Sequence, residues 1–331
     1  MLNWSEKLTQ KLFENQLISE EQNREVKEYR AKNIFSVNAE LLFLLYLSVI
    51  LFTSGIGVFV YKNIDSIGHL AILALNFILM AICFFLCFKK AKGYSNHEVL
   101  FENPIYDYLL LTGSLLAGIF LGYINYQYHV FGTDYRWVSL LTAILCFAAS
   151  YYFDNKTVLS MAITALTAFV GITLNPKALI ENEIYNNLSL MYSGVLLGAA
   201  LVLWAEFSVK NDIKKHFHFV YATLSLHLIG ICLIAGLLNE QWYVFVLFAI
   251  GYVLYFVKAS YRLNATSLFV FTLIYGYISL NILLGRMFEF IGFEYLSSII
   301  VLLAPVFYIG SIVLFIKLIR DFNKNKHGSI R

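Results

Sequence analysis

Charge is what this sequence has least of. Charged residues occupy 14% of its 331 positions and hydrophobic residues 60%, whereas soluble domains run at about 25% charged and about 45–50% apolar. A chain so poor in charge cannot dress a core with a water-facing surface, which excludes an ordinary soluble domain. Short segments of alternating polarity are missing as well, which excludes a transmembrane β-barrel. Cysteine is scarce, and Cys83, Cys87, Cys146 and Cys232 all fall inside apolar runs. A disulfide framework belongs in loops outside the membrane. Cys83 and Cys87 share one helical face at i, i+4, a spacing that a metal could use, but free cysteines most often serve as small buried hydrophobes. No Walker loop, dinucleotide fingerprint, H-E-x-x-H or G-x-S-x-G occurs. No nucleophile or metal site shares a depth with a base, so no catalytic residue, cofactor or metal is assigned and an enzyme is not expected.

What is present is a series of apolar runs, each about as long as the roughly 20 residues that cross a bilayer as helix. Read as helices they give ten spans: 41–61, 70–88, 105–123, 137–153, 157–174, 188–207, 217–237, 243–257, 265–284 and 296–318. The eighth is short and is expected to borrow from Trp242 or Lys258. With the amino terminus in the cytoplasm, 20 of the 24 basic residues fall in the inside segments. Only Lys62, Arg136, Lys177 and Arg286 fall outside, one to a loop. Positive charge gathers on the cytoplasmic side of short loops, and a miscount of one span would destroy this split. The fold class is therefore an all-α, polytopic membrane helix bundle with both termini cytoplasmic. The same rule, with anionic lipid, accounts for the basic inner surface, so nucleic acid is not implied.

The opening residues are wet by contrast. "NQLISEEQNREVKEY", residues 15–29, holds Glu20, Glu21, Arg24, Glu25, Lys27 and Glu28, and no cleavable signal peptide is expected there. "SEKL" at 5–8 and "SEEQ" at 19–22 are helix starts, the second a capping box between Ser19 and Gln22. Two short helices are expected, with Leu8, Leu12, Leu17, Ile18, Val26 and Tyr29 as a narrow apolar seam. Such a seam is too small for a free-standing domain, so the hairpin leans on cytoplasmic loops or on a protein partner. Three regions follow: a hairpin over 1–38, a ten-span domain over 39–318 and a basic tail over 319–331.

"LISEEQNREVKEY" and the following "LFTSGIGVFVYKNIDSIG" carry a resemblance. With Leu17, Ile18, Glu21 and Gln22 in the hairpin and Gly55, Gly57 and Asn63 along the first span, the chain resembles the domain-of-unknown-function 2157 family of bacterial predicted membrane proteins. The resemblance spans about the first 90 residues. It implies a bacterial inner-membrane location and carries over no functional residue.

Ionisable groups at membrane depth are costly and are the default functional candidates. Glu40, Asp107 and Glu206 lie at the cytoplasmic edges of their spans. They are either hydrated helix ends or, if their helices adjoin, an acidic ring that grips a cation or proton. His227 is the titratable group nearest a span's middle, with Asn76 and Asn281 the other deep polar side chains. Either they are interhelical glue or they floor a substrate cavity. Gly118 and Gly122, and likewise Gly194 and Gly198, are small-xxx-small pairs that let helices approach closely. The third span, "LLLTGSLLAGIFLG", and the sixth, "LMYSGVLLGAALVL", invite a duplication that would divide the chain five plus five. Pro305 introduces a bend or hinge in the tenth span. Aromatic residues at span ends make an interfacial belt, and "GRMFEFIGFEY" at 285–295 is expected to lie flat on the outer surface.

Two functions fit these features. One is a non-catalytic scaffold or sensor whose hairpin contacts a cytoplasmic partner. The other is a small-solute transporter with its site near His227.

Overall fold

The computed structural model describes residues 12–15, 18–31, 38–174, 187–291 and 293–328. Helices α1 (Glu20–Ala31), α2 (Asn38–Ile67), α3 (His69–Lys90), α4 (Ile105–Tyr128), α5 (Arg136–Phe153), α6 (Lys156–Leu174) and α7 (Leu188–Lys210) come first. After a 3-10 turn, Lys215–Phe217, follow α8 (His218–Leu238), α9 (Trp242–Arg262), α10 (Thr266–Ile291) and α11 (Phe293–Gly328). Among the described residues α2 to α11 are ten helices long and apolar enough to cross a bilayer, and no strand occurs. A bilayer offers the backbone no water, so each span satisfies its own N–H and C=O groups as helix. The fold is a polytopic helical bundle, as the apolar runs indicate. The short eighth span gains residues at both ends, and the last helix runs through Pro305 and on into the basic segment as far as Gly328. The 285–295 stretch is not a separate flat segment. It forms the end of α10 and the start of α11.

Met1–Gly55 and Ile56–Arg331 form two compact units. In the first, the capping box is formed: the Ser19 N–H donates to Gln22 Oε1 at 2.9 Å and the Gln22 N–H to Ser19 Oγ at 3.2 Å. Leu12, Ile18 and Val26 of the expected seam are half-buried. Leu8, Leu17, the Tyr29 side chain and the 5–8 helix start lie outside the described residues, as do Lys177 and the side chain of Asn63.

The second unit is built twice over. Helix α4 packs on α3, α5 and α6, α5 on α6, and α6 on α7; four helices later α8 packs on α7, α9 and α10, α9 on α10, and α10 on α11. The two modules also share a turn. Ala149-Ser150-Tyr151 ends α5 as Ala259-Ser260-Tyr261 ends α9. In each the serine hydroxyl donates to a carbonyl three residues back, Phe147 or Val257. Its own carbonyl accepts from the N–H five residues on, Asn155 at 3.1 Å or Ala265 at 3.0 Å. A left-handed residue makes both turns, Asp154 at φ 62° and Asn264 at φ 50°; Asp and Asn tolerate that region better than most side chains. The tyrosine then packs on a buried phenylalanine from the segment beyond, Tyr151 on Phe217 and Tyr261 on Phe322. The repeat is thus four spans long and parallel, not the five-plus-five division drawn from likening α4 to α7. Those two helices share Gly, Leu and Ala, which any close-packed membrane helix favours, but they hold different places.

Helix α8 is the most enclosed, with 61% of its apolar stretch buried inside the protein against 0% for α11. Its close approach to α7 depends on Gly194 and Gly198, where an added Cβ would collide with Cys232 Sγ and Ile229 Cγ1. The other small pair behaves differently. A Cβ added at Gly118 would make only an ordinary 3.5 Å contact with Thr142, and one on Gly122 would meet nothing within 4 Å. The tight spot on α4 is instead Gly113, where an added Cβ would lie 3.1 Å from Cys83 Cβ. Overpacking costs typically about 1–3 kcal/mol, so Gly198→Val is expected to lower the thermal stability of detergent-solubilised protein by that order while Gly122→Val leaves it unchanged.

Candidate functional site

The functional features gather where the connections of one face meet: 91–104, the α5–α6 turn, 211–217 and the α9–α10 turn. Helices that cross in alternate directions put these four connections on the same side, the one rich in lysine and arginine.

Asp154 is the centre. The left-handed turn that ends α5 points its carboxylate inward, where the side chain is 1% exposed. Oδ2 accepts the Val99 N–H at 2.5 Å, from the connection after α3. Oδ1 faces Lys214 Nζ at 3.3 Å and His216 Nε2, both from the connection after α7. Three connections therefore converge on one carboxylate. Lys214 is buried to the same degree and is itself left-handed at φ 48°, with its N–H donating to Asn96 O at 3.1 Å. The faces of Tyr94 and Phe217 lie 5.3 and 5.8 Å from its ammonium, a placement in which the ring quadrupoles attract a cation. Among the described residues Nζ has no hydrogen-bond acceptor beyond this ion pair. Two buried charges thus rely on each other, which makes the pair sensitive to loss of either member.

Neighbouring pairs extend the network. Asn155 caps α6 by accepting the Val158 N–H at 2.9 Å and donates to Asp107 Oδ1 at 2.9 Å. Lys156 Nζ meets Glu98 Oε1 at 2.6 Å, and that hydrogen bond holds the Glu98 carboxyl below the usual glutamate range. In the second module Glu206 of α7 takes a two-pronged contact from Arg262 of α9, with Nη1 to Oε2 at 2.9 Å, and the Tyr255 O–H donates to Oε1 at 2.5 Å. His218 Nε2 stands 3.7 Å from the same carboxylate. On the opposite face Arg136 pairs with Asp134, and Arg286 donates to the carbonyls that end α8.

The residues singled out from sequence have separate surroundings: His227 bonds from α8 to α10, as the interhelical reading has it, and Glu40 is an exposed helix end. Asp107 and Glu206 each hold partners of their own, so they do not form one shared acidic ring. Glu40 is exposed in the first turn of α2, within the other compact unit. His227 Nδ1 lies 3.2 Å from Tyr275 OH, with the ring edge-on to Phe271. The Asn281 amide donates to Tyr277 O of its own helix at 2.7 Å. Asn76 is buried on α3, its Oδ1 without a partner among the described residues. These three are not gathered into one site. Asp154, Lys214 and His216 escaped sequence reasoning because loop charges read as solvated, and nothing local marks a loop lysine for burial.

Ten apolar spans and charge confined to their ends define a multi-pass integral membrane protein. Its family resemblance is shown by residues 10–159, which match the family described as "Predicted membrane protein (DUF2157)". That stretch carries α1 with its capping box, α2 to α5 and the Asp154 turn, and extends well past the motifs that first suggested it. No curated protein and no solved structure matches the chain.

Removing one partner of a buried ion pair costs about 3–5 kcal/mol, and an apolar replacement of both is close to neutral. Asp154→Asn, which places there the residue of the second turn, is accordingly expected to lower stability by that order in a denaturation titration. Asp154→Asn with Lys214→Met should recover most of it. Glu98 gives a smaller, pH-dependent effect. Its depressed folded-state pKa means the contribution is complete above the ordinary glutamate value and is lost as pH falls through the folded one. Because the pair is exposed, Glu98→Gln should cost under ~1 kcal/mol at neutral pH and nothing in acid, where both chains are uncharged there.

Proposed function

We propose that the protein is a non-catalytic scaffold or sensor of a bacterial cytoplasmic membrane, with both termini in the cytoplasm and the 1–38 hairpin contacting a cytoplasmic protein. The observation that carries this reading is the position of the charge. It is gathered into a braced network that ties the connections of the basic face together, while the deepest titratable group, His227, is taken up by Tyr275 and Phe271. A polar solute crossing the bundle would need hydrogen-bonding groups at that depth. A braced face, and separately a capped, charge-rich opening segment, suit protein contact.

Two measurements test it. Deleting residues 1–33 should abolish capture of the partner from a cytoplasmic extract while the spans insert with unchanged thermal stability. In a chain with its four native cysteines replaced by alanine, His227→Cys should resist a membrane-impermeant thiol reagent in intact cells and in inside-out vesicles. A cysteine at position 98 should label in the vesicles alone. Labelling at 227 would mean a wet route to midspan and would replace the scaffold reading with transport; labelling of 98 in intact cells would reverse the orientation.

A further inference from the structure

At the seam between the two modules, α6, α7 and α8 enclose a cavity of about 510 Å³. It lies along the half of these helices away from the basic connections, from Ile163 to Ile172 on α6 and from Leu190 to Leu197 on α7, facing Leu224 to Ala235 on α8. Among the described residues no charged one lines it. Three hydroxyls do, and each is already used: Thr164 donates to Ser160 O at 2.9 Å, Thr167 to Ile163 O at 2.9 Å and Ser193 to Ser189 O at 2.8 Å. Among the described residues the wall therefore offers no free hydroxyl, only the weakly polar Cys232 thiol. A water needs roughly 2–4 polar partners to settle in a cavity, and apolar cavities of about 150 Å³ stay dry yet accept benzene-sized hydrocarbon. This one is more than three times that volume. Thr164, Ala168 and Ile231 are exposed at its rim, and all three belong to membrane-spanning stretches. The rim thus opens sideways onto hydrocarbon.

The seam is also where a gap is expected. Helix α6 packs on both α7 and α8, but its counterpart α10 has only α11 beyond it. The triangle of α6, α7 and α8 is the one that bridges the two modules. Gly194 lets α7 close on α8 at the cavity wall, since an added Cβ there would run into Cys232 Sγ.

We infer that this cavity is a binding site for one hydrocarbon chain of a membrane phospholipid, which enters laterally from the leaflet opposite the basic face. The chain replaces apolar wall contacts that would otherwise face a void, and such contacts are worth having because a gap forfeits dispersion energy on every lining atom. The site does not depend on what the hairpin binds.

Reconstitution of the full chain into vesicles of dioleoyl phosphatidylcholine, re-extraction into mild detergent and native mass spectrometry test the inference. One phospholipid per chain should survive washing. Ala168→Trp and, independently, Thr164→Trp, both at the exposed rim, should each cut the retained fraction at least about fivefold. Leu247→Trp on α9, 71% exposed and outside the cavity, should leave it unchanged. Absence of retained lipid, or equal retention in all four chains, would overturn the site. So would retention that appears only once residues 175–186 are exchanged for a glycine-serine linker, because that connection would then be the native occupant.

Discussion

The hydrocarbon interior of a bilayer supplies no hydrogen bonds and solvates no charge, and everything else in this structure answers to that constraint. It forces each crossing segment to be helical and drives charge to the helix ends. At one of those ends, however, the charges do not simply meet water. Asp154, Lys214 and His216 are enclosed by the connections that carry them, with Tyr94 and Phe217 as walls. The same low dielectric that makes an isolated charge expensive strengthens its attraction to a partner. A face that could have been a set of loose loops is tied at a carboxylate instead.

The two four-span modules separate what the architecture needs from what this face adds. Both turns need a buried serine, a tyrosine and a left-handed residue, because those groups close the hairpin and seat the phenylalanine that follows. Only the first turn has a negative charge at the left-handed position; the second has Asn264 in its place and seats Phe322 against Tyr261 and Phe269 without an ion. The turn works without charge. Asp154 is therefore an addition to the first module, and it is the addition that binds the connection after α7 to the module before it.

Legibility from sequence followed the range of the forces. Span positions were legible because hydropathy is summed over some twenty residues, and the eighth span was short on paper only because Lys258 and Arg262 interrupt its run. The Ser19–Gln22 box was legible because its partners lie three residues apart. The closeness of α7 and α8 at Gly194 and Gly198 was suggested by spacing, whereas the same spacing at Gly118 and Gly122 meets one ordinary contact and open space, since a small residue permits an approach without compelling one. The fate of His227 was not legible, because it depended on which helix stood beside it, whereas Asn281 turned back to a carbonyl of its own helix.

Sequence by itself determined that the chain is a membrane protein, how many times it crosses, where each helix begins and that basic residues collect on one face. These follow from local composition and from short-range pairing, which no partner can alter. Tertiary structure alone decided the four-span repeat, the burial of Lys214 against Asp154, the pairing of Glu206 with Arg262 and the apolar cavity between α6, α7 and α8. Those depend on contacts between residues tens of positions apart, and the energy of burying a charge or leaving a void exists only once the distant surfaces have met.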